Sequence, residues 1–165
     1  MLKALTATLE ILYKITEVAT NLFMVVLFVI VNAGVFSRYL FQAPFVWTEE
    51  LALFLLVWMV FLAGSLTVRR WENVRVTYFI EKLPDKVAVG IECLSKLLAL
   101  AFLTFVLILS VRIIPQVGPT EVAPALNISM LFPQMGLVVG LVLMVVQMVG
   151  LLLETLVALR TLRAS

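Results

Sequence analysis

The sequence predicts an all-α integral membrane protein of four transmembrane helices, with a short cytoplasmic interfacial helix between the second and third. Three observations carry that prediction. Apolar residues make up 64% of the 165 residues and charged ones 13%, against about 45–50% and 25% in soluble globular chains, so too little polar surface exists to cover a water-facing exterior. Charge-free apolar runs recur at span length: Leu51 to Val68 opens on Thr48-Glu49-Glu50 and closes on Arg69-Arg70, and 18–20 helical residues cover roughly the 30 Å hydrocarbon core of a bilayer. Finally, lysine and arginine collect at one end of these runs.

Residues 1–17 interleave Lys3, Glu10, Lys14 and Glu17 with apolar side chains and read as a helical lead-in at or below the interface. A cleaved signal peptide is the competing reading. Against it, the run Val18–Ser37 is longer than a signal h-region and no Ala-x-Ala site follows it. The first span is expected over roughly residues 16–41. Within it Asn21 and Asn32 are eleven positions apart, about 20° around a helix, and Glu17 and Tyr39 fall near the same stripe. Amides in lipid need partners, so this stripe is expected to face protein, in helix–helix hydrogen bonding or in substrate binding.

Pro44 sits among Tyr39, Phe41, Phe45 and Trp47, a tight turn dressed for the membrane–water interface. A second span over 48–70 follows. Thr48 would cap it, and Glu49 and Glu50 suit its positive N-terminal end as Arg38 suits the C-terminal end of the first span. A sharper reading pairs Arg38 with a carboxylate across the hairpin and makes Arg38, Trp47, Glu49 and Glu50 a docking surface for another protein.

In Trp71–Pro84, Val76, Phe79, Ile80 and Leu83 keep helical spacing, while Val74, Val76, Tyr78 and Ile80 alternate as a strand would. An open strand edge at a membrane is costly, so an amphipathic interfacial helix is preferred. The third span, 85–114, would be about 45 Å long, more than the hydrocarbon core requires. Its first turns carry Lys86, Glu92 and Lys96, the last two at i,i+4, and are expected to protrude on the basic side or to tilt.

Pro115, Gly118-Pro119 and Pro124 then break the chain into a loop. The charge-free run Val122–Leu153 is too long for one straight span, so Pro124 and Pro133 predict a loop or re-entrant approach before a fourth span over 133–160. There Gly136, Gly140, Leu143, Gln147, Gly150 and Glu154 recur in steps of four and three. Gly136-x-x-x-Gly140 permits close backbone approach and Gln147 a bond across a helix pair.

Ten of the twelve Lys and Arg residues lie in the N-terminal arm, the central loop with its flanks, and the tail; only Arg38 and Arg112 lie in the other two connections. The positive-inside rule then makes both termini and the central loop cytoplasmic, with Arg69, Arg70 and Arg75 as an anchor. The connections Arg38–Glu50 and Arg112–Met130 face outward.

The inventory excludes much chemistry. There is no histidine and one cysteine, Cys93, which removes a bis-histidine haem, an iron–sulfur cluster, an intrachain disulfide, a Cys/His zinc site and any His-based dyad. No catalytic residue, metal or cofactor is expected. No basic run interleaved with aromatics suggests nucleic acid. Ionisable residues at mid-membrane depth mark ion or substrate paths, and the spans hold only Asn21, Asn32, Ser65, Thr104, Ser110 and Gln147 as polar residues well inside. A scaffold or accessory role is favoured over a transporter acting alone.

Arg38-Tyr39-Leu40-Phe41, then Trp47-Thr48-Glu49-Glu50-Leu51-Ala52, then Val57-Trp58-Met59-Val60-Phe61-Leu62-Ala63-Gly64 together resemble the signature of the small membrane subunit, DctQ-type, of tripartite ATP-independent periplasmic (TRAP) transporters. Trp71-Glu72-Asn73-Val74-Arg75-Val76-Thr77 stands where that family usually has Gly-Glu-His-Ile-Arg-Val-Asp. The resemblance implies a non-catalytic four-helix subunit of the bacterial inner membrane. Its implied partners are a large multi-span permease subunit that carries substrate and sodium, a periplasmic substrate-binding protein, and membrane lipid. The implied activity is sodium-coupled uptake of an organic anion. A stand-alone small multidrug-type exporter working as a homodimer is the alternative, and would need a mid-helix carboxylate. A structural assembly factor outside transport is the third reading.

Overall fold

The structure, a computed structural model, describes residues 2–42, 45–70, 85–119 and 121–164. Four long helices dominate it: α1 (Leu2–Leu40), α2 (Val46–Arg69), α3 (Asp85–Val117) and α4 (Leu131–Ala164). Each is long and apolar enough to cross a membrane. Only helices that satisfy their own backbone can do so without exposing polar groups to hydrocarbon. Between α3 and α4 lies a minimal antiparallel ladder, β1 (Val122–Ala123) on β2 (Ile128–Ser129), with Val122 opposite Ser129. The expected interfacial helix, and Arg75 with it, falls in 71–84 and lies outside the described residues.

The helices form a row in the order α1, α2, α4, α3. The core is the seam between α2 and α4, where Phe54, Leu62, Leu141, Met148 and Leu152 are buried. Two glycines make the seam. A Cβ on Gly140 would stand 2.7 Å from the backbone carbon of Phe61, and one on Gly136 2.8 Å from the ring of Trp58. Both distances are shorter than side chains tolerate, so the α2 backbone comes this near only because α4 is bare there. Lipid tails are as apolar as leucine, so close packing of this kind is a main source of helix association in a bilayer. At the far end of the row α3 keeps an apolar window with no buried residue.

Several boundaries differ from the sequence reading. α1 is continuous from Leu2, and its N-terminal part is in contact with the bundle: Leu9 is buried against Gly150 of α4. Pro115 does not end the third helix, which runs on to Val117. In the last turn a proline forfeits one intrahelical bond, and Gly118 N–H closes the end on Ile114 O at 2.8 Å. α4 starts at Leu131, with Pro133 in its first turn, where the backbone N–H has no intrahelical acceptor anyway. Ahead of it stands the small ladder, turned by Asn127 at φ 54°, with Asn127 N–H bonded to Ala123 O at 2.8 Å. Nor does Thr48 cap α2. Phe45 holds the N-cap position without a side-chain bond, and the buried Thr48 donates its hydroxyl to Phe45 O at 2.6 Å.

Hydroxyls within the spans satisfy themselves on their own helices. Thr16, Thr20, Ser65, Thr67 and Ser110 each donate to a carbonyl three or four residues back, as helix-borne Ser and Thr readily do. Asn32 does likewise, Nδ2 to Phe28 O at 2.7 Å, and Asn21 is exposed. Neither amide reaches another helix.

The seam makes a paired prediction. Gly90 has open space around it, so Gly90→Ala should be neutral or raise stability by up to about 1 kcal/mol through helix propensity. Gly140→Ala must push the α2 backbone away and should lower stability by about 1–3 kcal/mol. Thermal unfolding of the two variants in the same detergent measures the difference.

Candidate functional site

The chemistry of the chain is concentrated in two polar layers, one near each end of the row. α1 and α2 are bridged by an ion pair in both: Glu17 with Arg70 at 3.9 Å, and Arg38 with Glu49. The members of each pair of ends are 21 positions apart on α1 and on α2 alike. At 1.5 Å per residue that is about 31 Å, the thickness of a hydrocarbon core.

At the Arg70 end the layer runs through all four helices. Arg70 also lies over the ring of Tyr13, 5.5 Å from guanidinium to centroid, a cation–π contact. Next to it, Arg69 Nη1 bridges both carboxylate oxygens of Glu154 at 3.0 and 3.1 Å, with the side chains only 16% and 29% exposed. Lys96 on α3 donates to Glu92 at 2.8 Å and to the Thr155 hydroxyl on α4 at 2.8 Å. Its side chain is 5% exposed. The sequence placed this lysine on a turn that protrudes or tilts, because the third span is longer than the hydrocarbon core requires, and the partner visible there, Glu92, is one turn away. The partner that accounts for its burial is 59 positions further on. Alongside, buried Gln147 turns Nε2 toward Leu9 O at 3.5 Å, and its Oε1 has no partner among the described residues.

At the Arg38 end the expected docking residues divide. Arg38 and Glu49 pair across the hairpin and remain open, 57% and 72% exposed. Trp47 is exposed and stacks on Phe45 with centroids 5.9 Å apart. Glu50 is used within the chain. Its carboxylate accepts the backbone N–H of Ala125 at 3.0 Å to both oxygens and that of Leu126 at 2.9 Å, which fastens the β1–β2 turn to the start of α2. Buried Ser37 donates to Gly34 O at 2.9 Å and accepts Phe45 N–H at 3.3 Å, fixing the exit of α1. Neither role was legible from spacing, since Glu50 acts on residues 75 positions away.

Between the layers stands an aromatic group. Trp58 stacks on Phe23 of α1 at 5.9 Å and tilts against Phe132 of α4 at 5.8 Å, with its indole N–H on Phe132 O at 3.2 Å. This ties three helices without placing a charge in the apolar zone. Of the packing residues expected from sequence, Gly136, Gly140 and Gly150 lie against Trp58, Phe61 and Leu9 respectively. Among the described residues no three His, Cys, Asp or Glu side chains come together as metal ligands.

Comparison with known proteins places these features in a family. Residues 27–158 match the model of the DctQ component of tripartite ATP-independent periplasmic transporters. A 77-residue stretch is 31% identical to the sialic acid TRAP transporter small permease protein SiaQ of Vibrio cholerae, covering 47% of this chain and 44% of that one. A 74-residue stretch is 32% identical to the sialic acid TRAP transporter permease protein SiaT of Haemophilus influenzae, covering 45% of this chain but 12% of that one. The matches thus span less than half the length of either relative.

The two layers should differ sharply in energetic weight. Glu154→Gln leaves Arg69 partly buried without its counter-ion and should cost on the order of 3 kcal/mol. Glu49→Gln removes an exposed pair and should cost about 0–1 kcal/mol. Chemical denaturation of both variants in mild detergent, read by helix signal, tests the order.

Proposed function

Because the chain belongs to the DctQ-component family of tripartite ATP-independent periplasmic transporters, we propose that it is the non-catalytic small permease subunit of a TRAP-type secondary transporter. It scaffolds a large transport subunit for sodium-coupled uptake of an organic anion delivered by a periplasmic binding protein. The observation that carries this reading is the family match over residues 27–158. The row of helices supports it. Four helices side by side leave broad apolar faces on α1 and α3, wide enough for lipid on one side and a larger membrane partner on the other. The stretch shared with SiaT is a small part of a much longer permease chain, which fits a unit of this kind working beside a larger one. Both relatives are named for sialic acid, an organic acid, and that fits the proposed substrate class.

The Arg70 layer is assigned to the cytoplasmic side and the Arg38 layer to the periplasmic side, on the ten-to-two basic asymmetry. Arg38, Trp47 and Glu49 are then the chain's surface toward the binding protein. Glu50 contributes indirectly, through the turn it holds. A self-sufficient exporter would need a carboxylate in the apolar zone. The described carboxylates belong instead to the layers at the two ends, to the N-terminal stretch of α1, to the start of α3 or to the α3–α4 connection.

Two measurements test the proposal. Reconstituted alone in liposomes, the chain should move no substrate under a sodium or proton gradient, whereas uptake should appear when the large subunit and the binding protein are added. Flux by the chain alone would overturn the scaffold assignment. In intact cells an impermeant thiol reagent should label Gln42→Cys and Asn127→Cys from outside and should not reach Cys93; the reverse pattern would invert the topology.

A further inference from the structure

Between α1 and α2, just inside the Arg38 layer, lies an open groove of about 260 Å³ lined by Val31, Gly34, Val35 and Ala52 and headed by Arg38, Tyr39 and Glu49. We propose that this groove is a phospholipid site selective for a phosphate–ammonium headgroup, that of phosphatidylethanolamine, in the leaflet at the Arg38 end. The assignment rests on the position and chemistry of the groove and not on the chain's role in transport.

Position comes first. Arg38 and Glu49 mark one edge of the roughly 31 Å apolar zone, so Val31 and Val35 lie one to two turns inside it, at acyl-chain depth. The wall there offers nothing polar to a ligand. Thr48 already donates its hydroxyl to Phe45 O, Ser37 is buried and bonded on both sides, and the exposed Tyr39 stands at the head beside Arg38. The volume lies below the roughly 300–1,000 Å³ of pockets that enclose whole small molecules, but an open apolar channel suits one hydrocarbon chain.

The head of the groove selects the charge. Only one guanidinium nitrogen of Arg38 is engaged, on one oxygen of Glu49, which leaves further N–H donors and the second carboxylate oxygen facing outward. A cation and an anion side by side have no net pull on an anionic ligand. They complement a zwitterion, with phosphate on the guanidinium and ammonium on the carboxylate. A primary ammonium donates hydrogen bonds to Glu49, whereas a quaternary choline has no N–H to give. The exposed Arg38–Glu49 pair is weakly held and can admit the headgroup between its members without unfolding anything.

The test uses the chain purified with whatever membrane subunits it retains. The sample is equilibrated in nanodiscs containing equal parts of phosphatidylethanolamine, phosphatidylcholine and phosphatidylglycerol. Native mass spectrometry then counts the lipid retained on this subunit. Phosphatidylethanolamine should be enriched about fivefold to tenfold over phosphatidylcholine, the net worth of one ordinary hydrogen bond, since exposure to water weakens a charged one. Glu49→Gln should abolish the preference, Arg38→Gln should lower retention of all three phosphate headgroups together, and Val31→Trp, which fills the groove and leaves the charges alone, should abolish retention. Arg112→Gln, on α3, should change nothing. Equal retention of the three lipids by the wild-type chain would overturn the proposal, as would preference for phosphatidylglycerol or selectivity that survives Glu49→Gln. A photo-crosslinker at residue 35 that captures polypeptide rather than lipid in native membranes would overturn it too.

Discussion

Within hydrocarbon a polar group has no water to fall back on, and the arrangement of this chain follows from that constraint. Side chains that cannot bond within their own helix are gathered at two levels about 31 Å apart. Between them the hydroxyls and Asn32 return to carbonyls of the same helix, and Trp58 finds the carbonyl of Phe132. The consequence is a slab whose middle demands nothing from its neighbours in the plane of the membrane. Its lateral faces are apolar, and its specific interactions are confined to its edges.

The two edges serve different ends. At the Arg70 level Arg69–Glu154 and Lys96–Thr155 link neighbouring helices in the row, α2 to α4 and α4 to α3. These groups are largely withdrawn from solvent, so losing one partner strands the other. They are fasteners. At the Arg38 level the fastening is done by Glu50 and Ser37, acting on backbone groups of the turn at Ala125 and of Phe45. Arg38 and Glu49 are left exposed on top of that fixed frame. An exposed pair on a fixed frame is free to exchange its partner for a group outside the chain, because little is lost when the two separate.

Much of this was legible in the sequence, and the reason it was legible differs by feature. The four spans follow from runs of apolar residues long enough to cross a bilayer, and the Gly136–Gly140 face from a spacing that repeats every turn. A pair between Arg38 and a carboxylate across the hairpin was one of two readings of charges at the facing ends of consecutive helices, and the fold selects Glu49 over Glu50 for it. What escaped were bonds that depend on the order of helices in the row. α4 packs between α2 and α3, so Lys96 meets Thr155 and Arg69 meets Glu154, and no local pattern announces that order. Pro115 misled for the opposite reason: a local breaker was over-read, although in a final turn it costs only one bond. The Asn21–Asn32 stripe was real as a spacing, yet Asn32 satisfies itself on Phe28 O, and proximity on a helix face did not imply a partner.

That last case bears on what such a subunit contributes. If transport chemistry were hidden here, it would require polar groups with unused capacity facing one another in the apolar zone. The described polar groups of that zone instead bond within a turn of themselves, stand singly as Asn21 and the half-buried Thr104 do, or lie in the packed seam. Gln147 comes nearest to an exception, with an Oε1 unpartnered among the described residues, but it is 2% exposed and turns its Nε2 toward Leu9 O. Between its two edges the described structure offers a neighbour in the plane of the membrane an apolar face that carries an exposed amide at Asn21. It holds a fixed spacing of about 31 Å between two charged rims and presents an unyielding apolar wall between them.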